Sequence, residues 1–280
     1  MTIQFHQSVV CPILIGRSAE LTVLQHCLES AADGQGGIVF LCGEAGIGKS
    51  RLVAELNQSA QADDFQLLGG QCFPTDRACP YAPLLDLLET YLAPLSSSQL
   101  VAVLGTSARV LFSVLPEQAQ HLPELANLSP LPPLDPEQEQ RRLFSALADV
   151  FLRVANTQPL LLVIEDLHWS DENTLEFLHF FARKVAGRQL LLVLTYRNDE
   201  IHQPLRSLLA QFDRERQRQE VVLDPLSRDT TETFLLTILQ GSRSLPAGML
   251  DALYDLTEGN PFFLEEVLKA LIVARELVEG

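Results

Sequence analysis

The sequence predicts an α/β fold built on a parallel sheet, and three observations carry that prediction. Short apolar runs without alternation stand at Ile38 to Cys42, Leu160 to Ile164 and Leu190 to Leu194. Such runs suit strands buried on both faces, as in a parallel sheet covered by helices. Helical patterns lie between them at Ser50 to Ala60, Glu137 to Ala155 and Thr174 to Val185. Strands and helices therefore alternate, and right-handed crossovers are expected. The chain has 280 residues, 47% of them apolar and 20% charged, which allows one large domain or a core with a small appendage.

The N-terminal segment MTIQFHQSVVCPILIG lacks the positive start and small-residue cleavage site of a signal peptide. Runs such as Leu160 to Ile164 are far too short to cross a membrane. A cytoplasmic protein with no membrane partner is expected. The five cysteines (Cys11, Cys27, Cys42, Cys72 and Cys79) show no C-x-x-C or zinc-finger spacing, so they read as small buried hydrophobes in a reducing compartment. A net charge of −16 should repel a phosphate backbone, and no direct nucleic-acid binding is expected.

Weaker strands are plausible at Phe65 to Phe73 and Glu220 to Leu223. Between Pro94 and Pro136 the prolines crowd, and PLPPLDP (130–136) cannot form regular helix or an inner strand, so a helical insertion ending in a rigid linker is expected. The helix after it has Asp135 as N-cap, Pro136 at its first position, and Leu143, Leu147, Phe151 and Val154 on one face. Asp171 reads as the cap of the helix beginning near Glu172. After Leu223 the strand signals cease. Asp229, with Glu232 three residues on, reads as a cap. A second helix runs to about Thr257, with Gly259 as terminator, Asn260 as the next cap and Pro261 in the next first turn. The chain thus divides into a core over residues 1–223, with the insertion at 94–136, and a helical lid over 224–280.

The decisive segment is Gly43-Glu44-Ala45-Gly46-Ile47-Gly48-Lys49-Ser50, a full match to G-x-x-x-x-G-K-[ST] between an expected strand and an expected helix. Glycines let the backbone wrap a phosphate with its N–H groups inward, and the helix N-terminus adds partial positive charge. Lys49 can reach the β- and γ-phosphates, and the Ser50 hydroxyl can take a place on Mg²⁺. Lysine is scarce here (Lys49, Lys184 and Lys269), which makes a chance match improbable. A P-loop needs an acidic partner at the end of a neighbouring strand, and LLLVIEDLHWSD supplies Glu165 and Asp166. Position puts Glu165 on the metal side, with Asp166 orienting the attacking water or serving as the alternative ligand. His168 is expected to bond locally and Trp169 to pack. The run Arg214, Arg216 and Arg218 reads as a solvated helix end.

These segments together resemble the ATPase module of the STAND class of AAA-related signal-transduction ATPases, as found in large ATP-binding LuxR-type regulators. The resemblance rests on LIGRSAEL (14–21), CGEAGIGKSRLVAEL (42–56), GGQCFP with PYAPL (69–84), LLLVIEDLHWSDENTL (160–175), LLLVLTYR (190–197) and EGNPFFLEEV (258–267). It implies a P-loop NTPase fold with a five-stranded sheet in the order 5-1-4-3-2 and a helical lid. It also implies that Ile15, Gly16 and Arg17 lie along the adenine, that Arg51 belongs to the nucleotide-binding segment, that Arg197 senses the γ-phosphate, and that Pro261 touches base or sugar. The implied function is a slow, Mg²⁺-dependent switch ATPase, with self-association in the ATP state. Such regulators continue into sensor and output domains; this chain ends at Gly280 before any of them, as a fragment or minimal module would. Two other readings stay open: a ring-forming AAA remodelling or replication motor, and a nucleotide-bound scaffold without turnover.

Overall fold

The structure, a computed structural model, describes residues 10–116, 131–239, 245–246 and 248–273. Its five strands are β1 (Gly37–Gly43), β2 (Gln66–Gln71), β3 (Leu160–Glu165), β4 (Leu190–Tyr196) and β5 (Gln219–Leu223). All pairings are parallel, in the order β2-β3-β4-β1-β5. This is the expected 5-1-4-3-2 order read from the opposite edge. β4 lies between the strand that carries Gly43 and the strand that carries Glu165.

Successive side chains on a strand point to opposite faces, so each apolar run feeds two cores. Phe40, Leu162 and Leu192 join one; Val39, Leu161 and Leu191 join the other. Helices α1 (Ser18–Ala32) and α2 (Lys49–Ala62) cover the second face. The first is covered by α3 (Ala82–Leu92), α4 (Ser97–Leu104), α5 (Ala108–Leu111), α6 (Pro136–Thr157), α7 (Glu172–Val185) and α8 (Gln203–Glu215). The short helices α4 and α5 occupy the front of the proline-rich stretch and dock on α6. Residues 117–130 of that stretch lie outside the described residues, and 131–135 have no regular structure.

Local chemistry sets the helix starts. The Asp135 carboxylate accepts from the Gln138 N–H at 2.9 Å and Pro136 sits at the first position of α6. The Asp171 carboxylate accepts from the Thr174 N–H at 3.0 Å and from the Tyr81 N–H at 3.3 Å, so one cap also anchors the loop before α3. On α6, Leu147, Phe151 and Val154 are buried, while Leu143 is only half-buried.

Among the described residues three helices follow β5: α9 (Arg228–Ile238), α10 (Met249–Thr257) and α11 (Pro261–Val273). They close around Phe234, Leu235, Leu253, Leu264 and Leu268, with Cys11 from the N-terminal segment inserted among them. The cap of α9 is Ser227, which accepts from the Thr230 N–H at 3.2 Å, not Asp229. Asp229 instead falls in the first turn, where a carboxylate still favours the helix dipole. Gly259 is required where it stands: its φ is 78°, and a Cβ there would lie 2.1 Å from the Leu226 carbonyl oxygen. The Leu226 N–H donates to the Gly259 carbonyl at 2.9 Å, tying the exit of β5 to the entry of α11.

Two further expectations need correction. Arg218 is no solvated helix end: α8 stops at Glu215, and the Arg218 guanidinium turns inward to Glu220, Asp213 and the Tyr196 hydroxyl, over the Phe40 ring. The cysteines are all free, but Cys79 is exposed and Cys27 only half-buried. Among the described residues no helix is long and apolar enough to cross a membrane.

Phe151 is fully buried between Phe177 and Phe181, with ring centroids 6.1 and 5.5 Å away. Phe151→Ala should cost about 3–5 kcal/mol of stability, read as a lowered urea midpoint with little change in slope.

Candidate functional site

The loop from Gly43 to Ser50 joins β1 to α2, and the geometry of its carbonyl groups defines it. The Lys49 ammonium donates to the Gly43 and Glu44 carbonyls, each at 2.8 Å. The Asn260 side-chain amide donates to the Ala45 carbonyl at 2.9 Å, and the Phe262 N–H donates to the Gly46 carbonyl at 3.3 Å. The Arg17 guanidinium donates to the Ile47 carbonyl at 3.2 Å, and the Leu52 N–H to the Gly48 carbonyl at 3.0 Å. Each loop carbonyl thus has a donor, while most of the loop N–H groups are left for a ligand beside a helix N-terminus. Gly46, with φ 74°, also lets the start of α11 approach: a Cβ there would lie 2.6 Å from that of Phe262.

A cavity of about 340 Å³ opens over this loop. Its walls are apolar at Ile13, Ile15, Phe234, Pro261 and Phe262 and polar at Lys49, Ser50, Asp166 and Arg197. Gly46, Ile47, Gly48, Arg17 and Arg51 also border it; Gly16, Gly43, Glu44 and Ala45 do not. Gly16 lies instead against Thr230 at the start of α9. A larger cavity of about 890 Å³ beside Tyr81, Arg109 and Gln140 contains none of these groups.

Lys49 is only 7% exposed; burial pulls its pKa down, and Asp166 pulls it back up. The Ser50 hydroxyl donates to the Glu165 carboxylate at 2.6 Å. Burial raises the Glu165 pKa, while the Ser50 hydrogen bond lowers it. Asp166 has left-handed backbone, with φ 61°; its N–H donates to the Thr195 hydroxyl at 3.0 Å and its carboxylate accepts from Gln71 at 3.2 Å. Arg197 stands at the end of β4, paired with Glu200 at 2.5 Å and with its guanidinium carbon 4.8 Å from the centre of the Trp169 ring. Trp169 also packs on His168. The Arg17 guanidinium is buried, and besides Ile47 it reaches the Asp224 carbonyl at 2.6 Å and Glu20 at 3.4 Å.

These residues fit a nucleoside phosphate with a divalent ion. Lys49 has only loop carbonyls to exchange for phosphate oxygens, and Ser50 and Glu165 face each other at the place of an ion. Among the described residues no cluster of three or more His, Cys, Asp or Glu could hold a metal alone. An ion here would therefore draw on Ser50, Glu165 and the ligand's own oxygens.

The profile of the AAA ATPase domain matches residues 13–194, which include the loop, the acidic pair and most of the sheet. The chain belongs to the AAA ATPase family. An uncharacterized protein of Rhizobium meliloti (strain 1021) is 27% identical over 265 residues, covering 91% of this AAA ATPase chain but 24% of its own length. The chain thus spans about a quarter of that relative. Among solved structures, Cdc6p of Pyrobaculum aerophilum superposes with TM-score 0.57 at 14% identity, over 99% of this chain and 67% of its own. The Orc1 protein of Aeropyrum pernix, solved in complex with DNA, gives 0.52 at 16% identity, over 99% and 64%. Both share the fold. A STAND protein with a tetratricopeptide repeat sensor from Pyrococcus horikoshii gives 0.45 at 15% identity, over 93% and 31%.

Gln71, Thr195, Asn260 and Phe262 enter the AAA ATPase site without having been singled out as ligand-side residues by sequence. Thr195 had a signal, a lone polar residue in the otherwise apolar run into β4. Gln71 had none, since its role depends on β2 lying beside β3. His168 corrects an expectation: it is wholly buried, its ring nitrogens have no hydrogen-bond partner, and Nδ1 stops 3.9 Å from Asp166.

Burial holds the His168 pKa at about 4, below the ordinary value near 6.5. The unfolded chain therefore takes up this proton first, and stability should fall as pH drops from about 6.5 towards 4, with no contribution above that window. Urea unfolding from pH 7.5 to 5 should show a steeper loss for the wild type than for His168→Phe; parallel curves would contradict the buried neutral imidazole.

Proposed function

We propose that the chain is an ATP-binding, Mg²⁺-dependent switch of the STAND type, the nucleotide module of a larger regulatory protein. The observation that carries this reading is the pair of contacts on one loop. Ser50 meets Glu165 at the acidic strand end while Lys49 rests on the loop carbonyls, and the lid entry, Asn260 and Phe262, holds the same loop from outside. The reading divides the chain into a core (1–223, with the insertion at 94–136) and a lid (224–280). The ordered motif set supports the STAND assignment, and the length of the Rhizobium relative supports a larger protein. The charge of −16 supports placing any nucleic-acid contact of that protein outside this segment.

The residues divide the work as follows. The loop N–H groups and Lys49 bind the phosphates, and Ser50 with Glu165 holds the ion. When bound there, Mg²⁺ would supply charge neutralisation to the phosphates. Asp166, oriented by Thr195 and Gln71, positions the attacking water. Arg197 exchanges Glu200 for the γ-phosphate, which lets the protein tell ATP from ADP. Pro261 and Phe262, with Ile13 and Ile15, enclose the base; Arg17 supports the loop from behind. A ligand shifts the lid only as far as it binds the two lid states differently. Arg197 and Pro261 supply that difference, and self-association accompanies the ATP state.

The protein purified without added nucleotide and then denatured should release near-stoichiometric ADP. Lys49→Ala should weaken Mg-ATP binding at least a hundredfold by calorimetry; unchanged affinity would falsify the site. Asp166→Ala should retain binding and lose phosphate release, whereas Glu165→Ala should lose the Mg²⁺ dependence of binding. The reverse pattern would exchange the two carboxylate roles.

A further inference from the structure

Asn260 precedes α11 and is 4% exposed, yet both ends of its amide are used. Its Oδ1 accepts from the Phe262 N–H at 3.1 Å, capping the helix, and its Nδ2 donates to the Ala45 carbonyl at 2.9 Å. The orientation is forced. A backbone N–H can only donate and a carbonyl can only accept, so the oxygen must face Phe262 and the nitrogen Ala45. Capping alone does not require an amide, because Asp or Ser caps as well as Asn. The nitrogen is the part that a helix start leaves unexplained.

What that nitrogen touches is the back of the phosphate loop. Together with the Phe262 N–H on Gly46, it supplies the donors for two successive carbonyls, 45 and 46. A peptide unit is planar, so a carbonyl fixed outward fixes the N–H of the next residue inward. Holding the Ala45 carbonyl therefore aims the Gly46 N–H, and holding the Gly46 carbonyl fixes the Ile47 N–H, which lies 3.4 Å from the Glu44 carbonyl. Gly46, without a side chain, allows the close approach: a Cβ there would lie 3.0 Å from the Asn260 Oδ1. When the lid leaves, those carbonyls turn to water and the loop loses two restraints.

We propose that Asn260 is a positioning residue through which the lid sets the conformation of the phosphate loop, so that nucleotide affinity depends on lid closure even where lid and nucleotide do not touch. This rests on the function proposed above. It adds a path through the protein backbone to the direct contact of Pro261. Closure and tight phosphate binding become one equilibrium, with the reciprocity that linkage demands.

The test uses the full 280-residue chain, with Mg²⁺ and a methylanthraniloyl derivative of ADP as probe. Asn260→Asp and Asn260→Ser both keep an oxygen for the cap and lose the donor to Ala45. Both should leave the melting temperature without nucleotide within about 2 °C of wild type. Both should also speed probe release about tenfold, and raise deuterium exchange in the peptide spanning 43–50 without changing that of α10. Faster release in the Asp variant alone would mean charge repulsion with the phosphates and would overturn the proposal. So would release at the wild-type rate in both variants, or a large fall in melting temperature in both. Failure of the wild type to bind the probe overturns the nucleotide-site reading, and the latch with it; binding with unchanged variants overturns the latch alone.

Discussion

Within the Gly43–Gly48 turn only the Ile47 N–H reaches a carbonyl of the turn itself, that of Glu44 at 3.4 Å, so the other carbonyls need donors from elsewhere. They come from the start of α1, the head of α2 and the entry of α11. Residues 17, 49, 260 and 262 are thus drawn to one turn, and the placement of the N-terminal helix and the last helices follows from that requirement. The Arg17 brace shows the point: it contacts Ile47 and also the Asp224 carbonyl just beyond β5, joining the loop and the exit of β5 with one guanidinium. Burial lowers the pKa of that guanidinium, and it stays charged because an arginine starts so high.

The ligand side follows a complementary rule. Each polar group there has a protein partner that a phosphate or an ion could replace. Lys49 rests on its own loop, Ser50 on Glu165, Arg197 on Glu200 and Gln71 on Asp166. Exchanging one hydrogen bond for another avoids the full cost of stripping a bare charge of water. It also keeps the cluster ordered before binding, within a chain whose net charge would otherwise discourage an anionic ligand. His168 is the exception, buried beside this cluster with no hydrogen bond to its ring nitrogens, and is the place where the polar accounting of the site is incomplete.

Much of this was legible in the sequence, for identifiable reasons. A strand buried on both faces has little choice but a continuous apolar run, so β1, β3 and β4 fall where IVFLC, LLLVI and LLVL stand. The P-loop and the caps at Asp135 and Asp171 are short-range patterns, and short-range patterns survive translation into structure. Ser227 and Asp229 show the limit of that kind of reading. Both residue types cap helices, and only the chain path out of β5 decides between them. Gln71, the inward turn of Arg218 and the amide of Asn260 were not legible at all. Each depends on which strand or loop arrives beside it from up to 215 residues away. The STAND-type resemblance located GNP as a lid motif but pointed to the proline, while the geometry puts the asparagine on the loop.

The sheet order also has a consequence for synthesis. β1 carries the P-loop and leaves the ribosome early, but its two neighbours are β4 and β5. Nearly 150 residues separate Gly43 from Leu190, which at 5–20 residues per second is a wait of roughly 7–30 s. During that interval IVFLC is an apolar strand with both hydrogen-bonding edges open. Such a segment is prone to pair with another chain. The interior position between two late strands makes β1 the longest-exposed part of the nascent sheet, and a binding site for chaperones during translation would be most useful there.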